Sequence, residues 1–303
     1  MKKITFSHKE ATSLTLVKNF LFKLITKNSA NLFILGKDSI SRAPQITGVH
    51  EPPITSFIKK MADIGYNGFF MDIGANIGLS SCQNGTSFNK VIAFEPNPLA
   101  VNILRVNMAI KLDDTKVEIN EYGLGIKNEE LCLMIPKRNW GGAFIKSSQN
   151  TYSQEILARK DGYKVIDPKN YIEKQVEVKD ASEILVEKFS SLSDINAFKG
   201  VIKIDVEGME EHVLRGISSS LPKNLKVIII FENYDEKFPI EDILKSFHPR
   251  QAKSYVLERK LPFNDNWPWL IKIIILMISR IETKLIEMNK SSSATGDIVI
   301  MIN

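Results

Sequence analysis

Five acidic side chains stand where short apolar runs of this chain give out. Asp72 lies in Met71-Asp72-Ile73-Gly74-Ala75-Asn76-Ile77-Gly78, and Glu95 lies in Phe94-Glu95-Pro96-Asn97. Asp205 and Glu207 belong to Lys203-Ile204-Asp205-Val206-Glu207-Gly208, and Glu232 follows Phe231. Carboxylates in such places can bind a cation, accept hydrogen bonds from hydroxyls, or take a proton during a reaction.

The first segment follows an apolar run and opens a helix, so Gly74 and Gly78 sit where a ligand can approach the backbone closely. Glu95 comes 21 residues after Gly74, at the end of the next apolar run. A carboxylate there accepts hydrogen bonds from both hydroxyls of a ribose. Together the two pieces predict a nucleoside-containing cofactor. The spacing Gly74-x-x-x-Gly78 departs from the G-x-G-x-x-G that cradles a dinucleotide pyrophosphate. Asp72 would repel a pyrophosphate but suits the cationic amino-acid end of S-adenosyl-L-methionine. The residues therefore favour S-adenosylmethionine. A nicotinamide-dependent oxidoreductase and a non-catalytic adenosyl-binding module are the alternatives.

These side chains need an alternating α/β frame. Residues 68–71, 90–94, 116–120, 200–204 and 225–231 read as strands, several of them apolar on both faces, as in a parallel sheet covered by helices on each side. Helices are expected over 54–64, after Asn97-Pro98 (an N-cap followed by proline) and from Gly208 onward. Two late strands, 254–258 and 297–302, complete the pattern. The expectation is a doubly wound, mostly parallel seven-stranded sheet with its last strand antiparallel, plus an N-terminal helical segment. Intervals 126–195 and 259–296 interrupt the alternation as insertions, and within the second an apolar run predicts one helix over 269–288.

An ordered set of motifs over residues 68–232 resembles the FkbM-type S-adenosylmethionine-dependent methyltransferases. It comprises Asp72 to Gly78, Ala93 to Asn97, Gly123-Leu124-Gly125, Asn139 to Gly142, Ile202 to Gly208 with Glu210, Val213 to Gly216, and Phe231-Glu232. The resemblance implies a class I, Rossmann-like methyltransferase fold. It also implies that Asp72, Gly74 and Asn76 hold the methionine part of the cofactor, Glu95 its ribose, and the Gly123 region its adenine. Gly78 and Asn97 complete the expected cofactor set. Members commonly methylate hydroxyls of sugars or natural products, so the expected partner is a small-molecule or glycan acceptor. Where many members carry Thr-Leu-Asp before the fourth strand, this chain has Lys179-Asp180-Ala181-Ser182-Glu183.

Removing a proton from a hydroxyl acceptor calls for a base beside the donor. Asp205 and Glu207, just past the fourth strand, are expected as base or acceptor anchor, and Glu232, past the fifth, as a second anchor. A helix-capping role is the competing expectation for Glu207 and Glu210. His212 falls mid-helix, where packing is the simpler role. His8, His50 and His248 form no metal-ligand spacing, so no metal is expected.

Composition narrows the rest. With 44% hydrophobic and 25% charged residues over 303 positions, disordered and collagen-like classes drop out. Two separated cysteines, Cys82 and Cys132, suit a reducing, cytoplasmic compartment. The net charge of +5 is uneven: residues 1–50 hold eight basic residues against two acidic ones, which leaves the remainder at −1. A nucleic-acid footprint is therefore absent from the body. The expected division is a basic N-terminal segment, 1–50, and a methyltransferase domain, 51–303. Residues 12–27 read as a basic amphipathic helix. Such a helix either lies on an anionic membrane surface as a peripheral contact or docks on the domain or on a second copy in a homo-oligomer.

Overall fold

The computed structural model describes residues 20–24, 26–34, 40–194, 197–260, 267–269, 271–272, 282–288 and 295–302. Its main sheet contains β1 (Phe69–Ile73), β2 (Lys90–Phe94), β3 (Val117–Asn120), β8 (Lys199–Ile204), β9 (Lys226–Asn233), β10 (Ala252–Lys260), β11 (Glu282–Glu287) and β12 (Gly296–Ile302). The order is β11-β10-β12-β9-β8-β1-β2-β3. Strands β3, β2, β1, β8 and β9 pair in parallel, while β12 runs antiparallel between β9 and β10. Seven strands thus follow the expected doubly wound plan.

The eighth strand differs from expectation. Residues 282–287, predicted as the end of a helix, form β11 antiparallel to β10. Glu282-Thr283-Lys284-Leu285 alternates with period two, and Thr283 and Leu285 are less exposed than their neighbours. That alternation belongs to a sheet edge, although a longer apolar run precedes it. Trp269, Ile271 and Lys272 are helical; residues 270 and 273–281 of the predicted helix lie outside the described residues.

Both faces of the main sheet are covered. Phe69, Met71, Ile73, Ile202, Ile204 and Phe231 face helices α6 (Ala181–Asp194) and α7 (Glu210–Ser220), whose Leu185, Phe189, Val213 and Ile217 fill that layer. Phe70, Val91, Ala93, Val201, Ile228 and Ile230 face the opposite layer. There α2 (Pro52–Asp63) contributes Ile54, Phe57, Ile58 and Met61, with α3 (Leu79–Asn84) and α4 (Pro98–Lys111) alongside. A strand's side chains alternate between faces. Asp72 therefore shares the face of Phe70, Lys203 that of Val201, and Glu232 that of Ile230. Each sits at or near the carboxyl end of its strand, and Asp72 lies opposite Lys203 in register.

Interval 126–195, expected only as an insertion, holds most of a second sheet of order β4-β7-β5-β6. Its strands are β4 (Gly123–Gly125), β5 (Glu129–Pro136), β6 (Phe144–Lys146) and β7 (Tyr171–Asp180). Met134, Phe144 and Tyr171 on one face pack against Tyr152 and against Leu157 of α5 (Gln154–Lys160). Ahead of the main sheet lies the short helix α1 (Arg42–Thr47). Among the described residues, no helix is long and apolar enough to cross a membrane.

Candidate active site

After Asp72 the chain turns sharply. The amides of Gly74 and Ala75 both donate to the Phe94 carbonyl, 2.9 and 3.0 Å away, which ties the turn to β2. Gly74 has φ +89°, and a side chain there would run into the Asp205 carbonyl. Only glycine allows that approach of the β1 and β8 loops. Three non-glycine residues among those described adopt positive φ: Glu51, Asn76 and Glu207. All three line one cavity of about 420 Å³ at the carboxyl ends of β1, β8 and β9. Such backbone conformations gather at functional sites.

Glu95 is fixed by two backbone amides. Asn76 donates to Oε2 and Asn97 to Oε1, each at 2.7 Å. Burial nevertheless pushes its pKa up to about 7. Asp72 is fully buried and receives the Ser81 hydroxyl on Oδ2 at 2.5 Å. Burial raises its pKa too, with the Lys203 ammonium opposing. Asp72 Oδ1 and Asn76 Oδ1 are buried acceptors with no protein hydrogen bond. Glu95 opens not into the large cavity but into a narrow one of about 50 Å³, beside Tyr122, Gly123 and Trp140. The two cavities share Gly74, Asn76, Gly141 and Asp205.

Asp205, Glu207 and Glu232 come together in the large cavity. Lys203 Nζ lies 2.7 Å from Asp205 Oδ2 and 3.6 Å from Glu51 Oε2. Burial pushes the Asp205 pKa up, but the Lys203 and Lys160 ammonium groups together hold the carboxyl below its ordinary range. Lys160 ion-pairs with Glu207 and lies 3.7 Å from Glu232. Its ammonium also sits 4.0 Å from the ring centre of Tyr234, whose hydroxyl donates to Glu232. Burial still pushes Glu207 up to about 8, and burial together with Asp205 raises Glu232.

Not every expected residue reaches the wall. Gly78, at φ +83°, is the N-cap of α3 and packs against Leu104 and Cys82. Asn97 caps α4 by accepting from Leu99 at 3.0 Å. Neither lines either cavity, because each starts a helix pointing away from it. Glu210 accepts the amides of Val206 and Gly208, so it holds the loop that presents Glu207. His212 is tied to the Gln149 carbonyl at 2.8 Å. Among the described residues, no group of three or more His, Cys, Asp or Glu is arranged to hold a metal.

Sequence reasoning missed Lys160, Arg159, Tyr234, His50 and Glu51, all of which line the large cavity. Lys160 arrives from the second sheet, whose loop is latched to the β8–α7 turn. Asn150 donates to the Glu207 carbonyl at 2.9 Å, and the Thr151 amide donates to that of Gly208 at 2.9 Å. No motif marks such a residue. The Glu51-Pro52-Pro53 break before α2 was the signal that the chain re-enters the site at His50 and Glu51.

Residues 72–256 match the family described as the methyltransferase FkbM domain. The chain belongs to that family. Methyltransferase sdnD of Sordaria araneosa is 27% identical over 176 residues, covering 56% of this chain and 68% of that protein. Methyltransferase 1 of Beauveria bassiana is 27% identical over 166 residues, covering 53% of this chain and 64% of its own length. A solved S-adenosylmethionine-dependent methyltransferase from Agrobacterium tumefaciens superposes with a TM-score of 0.41 at 8% identity, covering 85% of this chain and 64% of that one. S-adenosyl-L-methionine is the methyl donor of this FkbM methyltransferase. The residues present fit it: the buried, unpartnered oxygens of Asp72 and Asn76 suit an ammonium, and Glu95 suits a diol.

Proposed function

We propose that this enzyme transfers a methyl group to a hydroxyl of a saccharide or related small metabolite. The observation that carries this reading is the cluster of Asp205, Glu207, Glu232, Lys160 and Tyr234 in one polar cavity adjoining Asp72 and Asn76. Hydrogen-bonding groups of both signs, converging on a cavity of this size, suit a polyhydroxylated molecule.

The donor supplies an electrophilic methyl on a sulfonium. Asp72 and Asn76 hold the donor's amino-acid end, Gly74 lets it approach the backbone, and Glu95 takes the ribose hydroxyls. Gly123, with Tyr122 and Trp140, flanks the base. Asp205, kept charged by Lys203, anchors an acceptor hydroxyl. Glu207 takes the proton of the reacting hydroxyl on its carboxylate, a role its raised proton affinity suits. Glu232, braced by Tyr234, is the second anchor. Holding donor and acceptor in line supplies much of the rate.

The test is an acceptor screen with label in the donor methyl, across free sugars, nucleotide sugars and lipid-linked glycans, with tRNA as a comparison. Label in an O-methyl ether of a saccharide is expected. Label in RNA, or in an amine or thiol, would overturn the hydroxyl assignment.

A further inference from the structure

Among the described residues, the most exposed apolar side chains include a run that the methyl-transfer site does not use. Residues 20–24 are helical, and Phe20, Leu21, Phe22 and Leu24 are all solvent-exposed, the two phenylalanines by 62% and 64%. Single exposed apolar residues are ordinary, but four within about one helical turn are not. Lys23 lies among them and Lys27 follows four residues later, both exposed.

Further exposed apolar side chains lie elsewhere on the described residues. Phe33 is 62% exposed, yet its backbone is fastened to α4: its amide donates to Asn107 Oδ1 at 2.7 Å, and Asn107 Nδ2 donates back to its carbonyl at 2.9 Å. Asn107 Nδ2 also reaches the Ile77 carbonyl at 2.7 Å, just past the Asp72–Asn76 turn. Flanking Asn107 on α4, Val106 and Ile110 stand one turn apart and are exposed. The segment is tied down at a second point, where the Ala30 amide donates to the Pro44 carbonyl at 2.8 Å. Beyond residues 35–39 the same stretch of chain reaches Ile40, His50 and Glu51, which wall the large cavity.

Charge identifies what would cover this surface. Residues 1–50 carry eight basic residues against two acidic ones, while the rest of the chain carries a net −1. Aromatic and aliphatic side chains interleaved with lysines, on a segment otherwise rich in positive charge, match the boundary of an anionic bilayer. There the rings enter the acyl region while the ammonium groups meet headgroup phosphates. A protein groove would take the apolar side chains but leave the lysine excess without a counterpart.

We propose that Phe20, Leu21, Phe22, Leu24 and Phe33, with Val106 and Ile110 of α4, dock the enzyme on an anionic membrane surface. This does not depend on which acceptor is methylated. The test is sedimentation of the intact protein with vesicles of phosphatidylcholine alone and of phosphatidylcholine containing phosphatidylglycerol. Binding is expected to the anionic vesicles, falling as salt is added. The double substitution Phe20→Ser with Phe22→Ser should lower partitioning by at least about tenfold. Lys23→Gln with Lys27→Gln should lower it by roughly fivefold per lysine, on anionic vesicles only. Both variants should keep the melting temperature and the S-adenosylhomocysteine affinity of the parent. Absence of vesicle binding, equal binding to neutral vesicles, or binding indifferent to both variants would overturn the proposal. So would a dimer that the Phe20/Phe22 variant converts to monomer, since the surface would then belong to a second copy.

Discussion

Glu95 is held as a hydrogen-bond acceptor by two amides, in a place where burial pushes its pKa up to about 7. An ordinary glutamate titrates near 4.3, so between those values the folded protein keeps a proton that the unfolded chain has released. Its stabilising contribution is complete below about pH 4 and is lost as pH rises to about 7. Glu210 is shifted in the same direction by burial, also to about 7. Urea unfolding should therefore show stability falling between pH 5 and pH 7. In Glu95→Gln that fall should be smaller by about 2–3 kcal/mol; an unchanged slope would mean that Glu95 is not protonated in the native state. Lys160 and Glu207 are a second residue-scale test. Removing one partner of a buried pair strands the other, so Lys160→Met should cost about 3 kcal/mol. Adding Glu207→Gln should recover part of this loss, with a coupling of about 1 kcal/mol or more in a double-mutant cycle measured by denaturant.

The elements place these residues through the parity of the strands. Asp72, Lys203 and Glu232 share one face of the sheet near the strand ends, and Gly74 brings the β1 and β8 loops into contact. Gly74→Ala would set a side chain against the Asp205 carbonyl at φ +89°. It should cost at least about 3 kcal/mol, or roughly 5 °C in melting temperature by calorimetry. The strands of this frame were legible because β1 and the Gly200–Ile204 part of β8 are mostly apolar, interrupted only by Asp72 and Lys203, and the other motif residues fall where those runs end. The second sheet was legible only as an interruption. Glu129–Pro136 and Tyr171–Asp180 pair across more than thirty residues of chain, and nothing local announces such a partner. Strand β11 was misread because the apolar run before it masked a short period-two alternation. Gly78 and Asn97 were placed in the motif correctly as helix starts, but the helices they open lead away from the cavity.

At the scale of the whole molecule, the family match begins at residue 72, but the cavity does not. Ile40, His50 and Glu51 come from before it, and Arg159 and Lys160 come from the second sheet's helix. Of the residues proposed for the donor, Asp72, Gly74, Asn76 and Glu95 lie in or just past strands of the main sheet and follow the family motif, so they could be read from one sequence, whereas Gly123 belongs to the second sheet. The proposed acceptor side draws on three distant stretches, and their meeting depends on tertiary contacts such as Asn150 with Glu207. Calorimetric titration with S-adenosylhomocysteine tests most directly whether the donor sits between Asp72 and Glu95. The intact protein should bind one molecule per chain, and Glu95→Ala should lose about 10–100-fold in affinity, as expected when charged hydrogen bonds to a ligand are removed. An unchanged affinity in folded Glu95→Ala, or no binding by the folded parent, would contradict that placement.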